Sequence, residues 1–151
     1  MEAGRNVDIL LVDDQPKNLV ALHAILGERG LNLVEARSGE EALRRVLDGD
    51  FAVILMDVQM PGMDGFETAA LIRERDRSSH TPIIFLTAYE SSDLQVFKGY
   101  ALGAVDYLAK PVVPAVLRSK VSVFVDLFLK TEQVKRQAEQ LAENQRRDHE
   151  G

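Results

Sequence analysis

The chain has 151 residues, a formal net charge of −6, 46% hydrophobic residues and 28% charged residues, as is typical of one soluble globular domain with or without an extension. It contains no cysteine, which excludes disulfides and thiolate metal sites. The apolar run near the N-terminus is too short for a signal sequence or a membrane span, and the negative charge argues against general nucleic-acid binding. We therefore expect a cytoplasmic protein that binds neither membranes nor nucleic acid directly.

Short apolar runs alternate along the chain with helical patterns. Two of these runs, VILM and IIFL, are almost wholly apolar, as expected for strands that are buried on both faces. The second and fifth runs interleave polar residues, as edge strands can. The predicted strands cover residues 7–12, 31–36, 52–56, 82–86 and 105–109.

A helix is predicted after each strand. Pro16 suits the first turn of a helix, residues 38–41 (SGEE) form a capping-box pattern, and Gly103 suits a helix C-terminus. The predicted helices cover residues 16–29, 38–47, 65–75 and 91–103, and a last helix begins near residue 114. Five such βα units predict an α/β fold with a doubly wound parallel sheet in the order 2-1-3-4-5, which is the flavodoxin-like order.

Functional side chains follow the carboxyl ends of four predicted strands. Strand one is followed by Asp13 and Asp14, strand three by Asp57, strand four by Thr87 and strand five by Lys110. In a doubly wound sheet the winding reverses between strands one and three, and the carboxyl ends beside that reversal form the natural ligand crevice. The five side chains are therefore expected to converge there.

Three clustered carboxylates repel one another, and a hard divalent cation relieves that repulsion. Oxygen ligands without histidine or cysteine favour Mg²⁺ over zinc. With Mg²⁺ and Lys110 the pocket becomes formally neutral and able to accept a phosphoryl group. Asp57 is the candidate nucleophile because carboxylates form aspartyl-phosphates, and the acids at 13 and 14 are the candidate metal ligands. Lys110 and the Thr87 hydroxyl are expected to bind phosphoryl oxygens.

Four motifs resemble the receiver domains of two-component response regulators. They are LLVDDQP at 10–16, ILMDVQMPGMDG at 54–65, IIFLTA at 83–88 and DYLAKP at 106–111. Together they fall in the family's order and spacing over residues 7 to about 130. The resemblance implies a phosphorylation-activated signalling receiver, not a conventional enzyme, which takes a phosphoryl group from a sensor histidine kinase.

The resemblance also assigns a role to each site residue. It makes Asp57 the phosphoacceptor, Thr87 the switch hydroxyl, Tyr107 the switch aromatic and Lys110 the site lysine. It implies that Mg²⁺ is held by the carboxylates of residues 13, 14 and 57 and by the main-chain carbonyl of Gln59, and that the bond from residue 110 to Pro111 is cis. By the same analogy, the side chains of Gln59 and Tyr89 tune hydrolysis of the acyl phosphate, and the bulky Tyr89 predicts slow self-dephosphorylation.

Two other classes of protein share parts of this pattern. Aspartate-nucleophile phosphatases carry a second acid two residues after the nucleophile, where this chain has Gln59. A degenerate receiver that only binds partners would normally lack one of the five site residues, and all five are present. Asp64 also lies near the site, but the pair Asp64-Gly65 is typical of a turn and a helix start, so it is not assigned a functional role.

The last helical pattern continues far beyond the length of a compact receiver. One apolar stripe, at residues 117, 121, 124 and 128, is expected to face the sheet. A second set, at residues 127, 131, 134, 138, 141 and 145, follows heptad spacing. We therefore expect a receiver at 1–130 and a helical extension at 131–151 that forms a coiled-coil homodimer, with a lone solvated helix as the alternative. Such a helix commonly leads to an output domain, so the chain is either a piece of a longer regulator or a complete single-domain protein.

Overall fold

The computed structural model of the protein describes residues 7–27, 30–87 and 106–150, without the side chains of 148–150. Five strands and four α-helices lie within these residues. In chain order they are β1 (Val7–Val12), α1 (Pro16–Leu26), β2 (Leu31–Ala36), α2 (Gly39–Asp48), β3 (Val53–Asp57), α3 (Gly65–Arg73), β4 (Ile83–Thr87), β5 (Asp106–Ala109) and the C-terminal helix (Pro114–Glu150), with a short 3-10 helix at Asp76–Ser78. The helix predicted at 91–103, Tyr89 and the predicted start of strand five at residue 105 lie outside the described residues.

The five strands form one parallel sheet in the order β2-β1-β3-β4-β5, which confirms the predicted topology. Register brings the carboxyl ends of the central strands to the same edge. Asp57 at the end of β3 is level with Leu86 of β4, and Thr87 is level with Ala109 of β5. This edge therefore collects the residues that follow β1, β3, β4 and β5.

Helices cover both faces of the sheet. Residues of α2 and α3 pack with one set of strand side chains, while α1 and the C-terminal helix pack with the other. Successive residues of β1 point to opposite faces, so Ile9 joins one layer and Leu10 the other, and both are fully buried. The edge strands β2 and β5 are less buried than the central ones, as their interleaved polar residues predicted.

Several boundaries differ from the predicted ones by a few residues. β3 and β4 each begin and end one residue later than predicted. Their ends lie later because Asp57 and Thr87 still pair with their neighbouring strands. α1 ends at Leu26, with Gly27 as its C-cap, and not at residue 29. α3 ends at Arg73 and not at residue 75, because Glu74 is its C-cap and donates back to the carbonyls of the last turn.

The end of α3 supplies a side chain that holds the following loop. The half-buried guanidinium of Arg73 donates to the carbonyl oxygens of Ser78 at 3.2 Å, Ser79 at 3.4 Å and Thr81 at 2.7 Å. Burial of this side chain lowers its pKa. Hydrogen bonds to three carbonyl groups of this loop satisfy backbone that would otherwise need water, so Arg73 fixes the approach to β4.

The C-terminal helix runs for 37 residues. Its first turns pack on the sheet through Leu117 and Val121, which are buried, and through the half-buried Phe124 and Phe128. This confirms the prediction that these four residues face the sheet. The large apolar residues of the second predicted stripe, at 127, 134 and 141, are exposed. Such exposure in a single chain is expected whether the helix pairs with a second copy or remains a lone solvated helix. Within the described part of the chain, no helix combines the length and apolar character needed to cross a membrane.

Candidate functional site

Three carboxylates meet at the carboxyl edge of the sheet. Asp13 and Asp14 follow β1 and Asp57 ends β3, and each offers an oxygen atom that lies within 4.8 Å of those of the other two. The side chains of residues 13 and 57 are buried, with 1% and 4% of the residue exposed, and Asp14 is half-buried. The predicted acidic cluster is therefore present, and water reaches little of it.

Asp13 is the most tightly held of the three acids. Its Oδ1 accepts a hydrogen bond from the backbone N–H of Gln15 at 2.9 Å and from the amide of Asn18 at 3.3 Å. Its Oδ2 accepts from the Lys110 ammonium at 3.1 Å. Asn18 was not singled out from the sequence, although an amide in the first turn of α1, five residues after an acid, is a signal that could have identified it.

Lys110 bridges the two buried acids. Its Nζ lies 3.1 Å from Asp57 Oδ1 and 3.1 Å from Asp13 Oδ2. Burial alone would lower the pKa of this lysine, but the two carboxylates and their hydrogen bonds outweigh burial and raise it. The lysine therefore stays charged and brings one positive charge to a group of three acids.

The carboxyl of Asp57 has a raised pKa. Burial is the main cause and the nearby charge of Asp13 adds to it, while Lys110 and a hydrogen bond from the backbone N–H of Gln59 act in the opposite direction. One ammonium group does not compensate the cluster fully. A further cation at this place would favour the ionised carboxylate.

An unpaired atom supports a cation at this edge. Asp14 Oδ1 is buried and has no hydrogen-bond partner among the described residues. Buried polar atoms are nearly always paired. The atom therefore fits a ligand position, and the donor set of carboxylate oxygens suits Mg²⁺. The residues present thus fit a divalent cation held by Asp13, Asp14 and Asp57.

Thr87 and Lys110 are joined through the backbone. The N–H of Lys110 donates to the carbonyl oxygen of Thr87 at 2.6 Å, and the threonine residue is buried at the end of β4. The bond from Lys110 to Pro111 is cis, as predicted. The residue expected to carry the switch hydroxyl therefore lies beside the lysine of the pocket.

Tyr107 lies on β5, level with Phe85 of β4. It is half-buried, with its ring centroid 5.5 Å from that of Phe85 and 6.4 Å from that of Phe66. Phe85 and Phe66 themselves pack at 4.9 Å. The tyrosine thus belongs to an aromatic group with Phe85 of β4 and Phe66 of α3.

The loop between β3 and α3 closes on the backbone of Asp57. Asp64 caps α3, where its carboxylate accepts from the N–H of Glu67 at 2.8 Å, which confirms the cap interpretation. The N–H of Gly65 donates to Val58 at 2.9 Å. A Cβ on residue 65 would lie 2.9 Å from the Cα of Val58 and closer still to the carbonyl oxygen of Asp57, so only glycine fits without movement.

The structure brings together the carboxylates of residues 13, 14 and 57 with Lys110, and places Thr87 next to them. Gln59 is exposed and contacts Asp57 through its backbone. The predicted rate-tuning residue Tyr89 lies outside the described residues, so it remains a prediction. The convergence of side chains that the sequence predicted is otherwise observed at one edge of the sheet.

Comparison with known proteins is consistent with this geometry. Residues 9–122 match the model of the response regulator receiver domain. The transcriptional regulatory protein YvrH of Bacillus subtilis is 41% identical over 117 residues, which cover 77% of this chain and 48% of that protein. The chain thus spans about half the length of this relative, and it covers 27% of a probable cyclic di-GMP phosphodiesterase of Vibrio cholerae.

Solved structures show the same fold. The chemotaxis protein CheY4 of Vibrio cholerae matches with a TM-score of 0.73 and 33% identity, over 79% of this chain and 98% of that one. The receiver domain of the sensor histidine kinase PA1611 of Pseudomonas aeruginosa, which has a magnesium ion in its active-site cleft, matches with a TM-score of 0.72 and 30% identity, over 80% and 98%. The chain therefore belongs to the response regulator receiver domains, the signalling modules that accept a phosphoryl group in two-component systems.

Proposed function

We propose that Asp57 is the residue that accepts the phosphoryl group, and that a sensor histidine kinase supplies it. The observation that carries this assignment is the position of Asp57: a buried carboxylate at the end of a central strand, 3.1 Å from the Lys110 ammonium. Asp13 is already engaged by three hydrogen-bond donors. Compared with Asp13, Asp57 therefore has the greater freedom to act as a nucleophile.

In the proposed reaction, a carboxylate oxygen of Asp57 attacks the phosphorus of a phosphohistidine. The P–N bond breaks, its electron pair returns to the imidazole nitrogen, and the imidazole takes up a proton from solvent. Negative charge on the phosphoryl oxygens is stabilised by the ammonium of Lys110, whose raised pKa keeps it protonated. The Thr87 hydroxyl, next to the lysine, provides a neutral donor.

Mg²⁺ is the cofactor proposed for this site. It would be held by carboxylate oxygens of Asp13, Asp14 and Asp57 and by the main-chain carbonyl of Gln59. When bound, it supplies positive charge to the transferring phosphoryl group. The orphaned Oδ1 of Asp14 is the feature of this chain that supports the assignment.

Intact-mass measurement with a small phosphodonor such as acetyl phosphate tests the proposal. The wild-type chain should gain one phosphoryl group in the presence of Mg²⁺, and none after chelation or in Asp57→Asn. Asp64→Asn is the matched control, because that acid caps α3 and should label normally. Undiminished labelling of Asp57→Asn would place the phosphoryl group elsewhere.

The proposed switch couples Thr87 to Tyr107. A phosphoryl group adds roughly one to two negative charges and three acceptor oxygens, which would draw the Thr87 hydroxyl toward Asp57 and let the half-buried Tyr107 turn inward. Thr87→Ala should still accept phosphate while losing the shift in the environment of Tyr107, followed by NMR of that ring. A full shift in Thr87→Ala would refute this coupling.

The lifetime of the acyl phosphate is proposed to depend on Gln59 and Tyr89. Side chains at these positions gate the water that hydrolyses the acyl phosphate in related receivers, and the bulk of Tyr89 predicts slow decay. Tyr89→Ala should shorten the lifetime of the phosphorylated chain, measured by loss of the added mass with time. An unchanged lifetime would count against shielding by this side chain.

We propose that the C-terminal helix transmits the phosphorylation signal. Residues 1–130 would act as the receiver and 131–151 as a helical extension that pairs with a second copy, either to control a partner or to connect to an output domain. The exposed heptad positions support pairing. Thr131 and Ala138, in the middle of the series, offer little apolar surface, which favours a concentration-dependent dimer. Truncation after Lys130 should give a monomer by sedimentation that still accepts phosphate. Equal dimerisation of both forms would place the contact on the receiver body.

A further inference from the structure

A groove opens at the end of the sheet opposite Asp57. It lies between the C-terminal helix and the segments that lead into β3 and β4, and its volume is about 280 Å³. Leu127 and Thr131 line it, and both also belong to the heptad positions defined above. The main apolar walls are Phe51, Pro82, Phe124 and Phe128.

The charged side chains of the groove cancel one another. Arg77 pairs with Asp50 at 2.8 Å, and Lys135 with Glu132 at 3.6 Å. The groove therefore offers no net charge to attract an anion or a cation. The uncovered surface of the groove is mainly apolar, and Leu127, which lines it, is 55% exposed.

One face of the C-terminal helix carries an exposed apolar stripe. Val123, Leu127, Val134 and Leu141 are 60%, 55%, 63% and 63% exposed. At about 100° per residue they fall within a narrow arc of the helix, and the last three repeat at seven-residue intervals. The stripe thus begins on the receiver body, one turn before Leu127, and not only in the extension.

The heptad register gives every flanking residue a position. With Leu127, Val134 and Leu141 at d, Val123 and Lys130 occupy g, while Phe128 and Lys135 occupy e. In a parallel pair each g residue faces the e residue of the next heptad on the other helix. The partner's Val123 then meets Phe128 at the groove, and the partner's Lys130 meets Lys135.

We propose that the groove is part of the self-association surface: a second copy pairs in parallel and in register and seats its Val123 against Phe128, while facing lysines at 130 and 135 weaken the pair. An antiparallel pair centred on Val134 would instead place Val123 beside the polar tail near Gln145, which leaves an apolar side chain uncovered. The inference rests on the dimer in the proposed function and specifies its geometry.

Because the chain has no cysteine, single substitutions give clean cross-links. Leu127→Cys and Leu141→Cys should each form disulfide-linked dimers alone, since parallel pairing sets identical d positions side by side. Cross-linking only in a mixture of the two variants would establish antiparallel pairing and overturn the proposal.

Sedimentation equilibrium of the full chain tests the contact with the groove. Val123→Asp should raise the dimer Kd on the order of tenfold or more, whereas Val20→Asp, at a 68% exposed position on α1, should leave it unchanged. Equal effects of the two variants would remove the receiver body from the interface. Circular dichroism checks that both remain folded.

Reversing the charges at residues 130 and 135 tests the register, because each single reversal should increase the affinity of the two copies for each other. Lys130→Glu and Lys135→Glu should each tighten the dimer about threefold to tenfold at low salt, and the double variant should return to the wild-type Kd. No tightening by either single variant would overturn the register.

If the full chain stays monomeric at every concentration, this inference and the dimer both fail. Phosphorylation of Asp57, measured on the same samples by intact mass, decides separately whether the proposed receiver chemistry stands.

Discussion

Gly65 provides the sharpest test of how the backbone positions Asp57. A methyl group on residue 65 would lie 2.9 Å from the Cα of Val58 and even closer to the carbonyl oxygen of Asp57. Both neighbours are backbone atoms and cannot rotate away. The start of α3 would therefore have to move by about half an ångström or more, and overpacking of this kind costs roughly 1–3 kcal/mol.

Two other glycines serve as controls because each isolates a different cost. Gly62 has φ of +75° and open space around it, so Gly62→Ala should cost about 1–2 kcal/mol from the left-handed conformation alone. Gly49 has an extended backbone and ordinary contacts, so Gly49→Ala should change stability by less than about 0.5 kcal/mol or raise it slightly.

Urea unfolding and phosphorylation rates distinguish the three variants. Gly65→Ala should lower the rate of Asp57 labelling about tenfold or more even under conditions where it is folded, because misplacement of a reacting group by about 1 Å is costly. Gly62→Ala should lose stability with a smaller effect on labelling. A Gly65→Ala chain that labels at the wild-type rate would refute the view that close packing of α3 positions the acid.

Further predictions concern the framework and the charges of the pocket. Arg73→Ala should lose about 3 kcal/mol of unfolding free energy, since three loop carbonyls lose a charged donor, while the exposed Arg44 should tolerate alanine within about 0.5 kcal/mol. Leu117→Ala, at a fully buried position, should cost about 2–5 kcal/mol, and Val116→Ala much less. Because burial and Asp13 raise the Asp57 pKa, Asp57→Asn should stabilise the metal-free chain at neutral pH. This gain in unfolding free energy should shrink as pH falls through the raised pKa of Asp57 and vanish below the ordinary carboxyl pKa. Urea unfolding of both chains across pH measures it. A less stable Asp57→Asn chain at pH 7 would contradict the prediction.

The sheet order and the meeting of the acids were predictable because they follow from short-range rules. Apolar runs of strand length, separated by helical patterns, indicate parallel strands, and parallel strands place their carboxyl ends on one edge. The positions of Asp13, Asp57 and Lys110 after those strands were enough to predict that their side chains meet. The capping function of Asp64 likewise follows from four consecutive residues.

Contacts that depend on the path of irregular segments were not predictable in the same way. The bonds of Arg73 depend on the path of a loop that has no periodic pattern. The ends of β3 and β4 shifted by one residue because strand pairing extends the ladder to polar residues that look like loop positions. The groove beside Phe128 depends on where a long helix leaves the body, which sequence spacing does not encode.

The unbroken C-terminal helix also has a mechanical consequence. At about 1.5 Å per residue, 37 residues form a rod of about 55 Å, whose first turns are clamped to the sheet by Leu117 and Val121. Such a rod works as a lever with a short arm inside the body and a long arm outside it. A tilt of about 10° near the clamp would displace the far end by about 8 Å, given the same rise per residue. A rearrangement at the pocket too small to alter the core could therefore become a movement comparable to the width of a helix at the other end of the molecule.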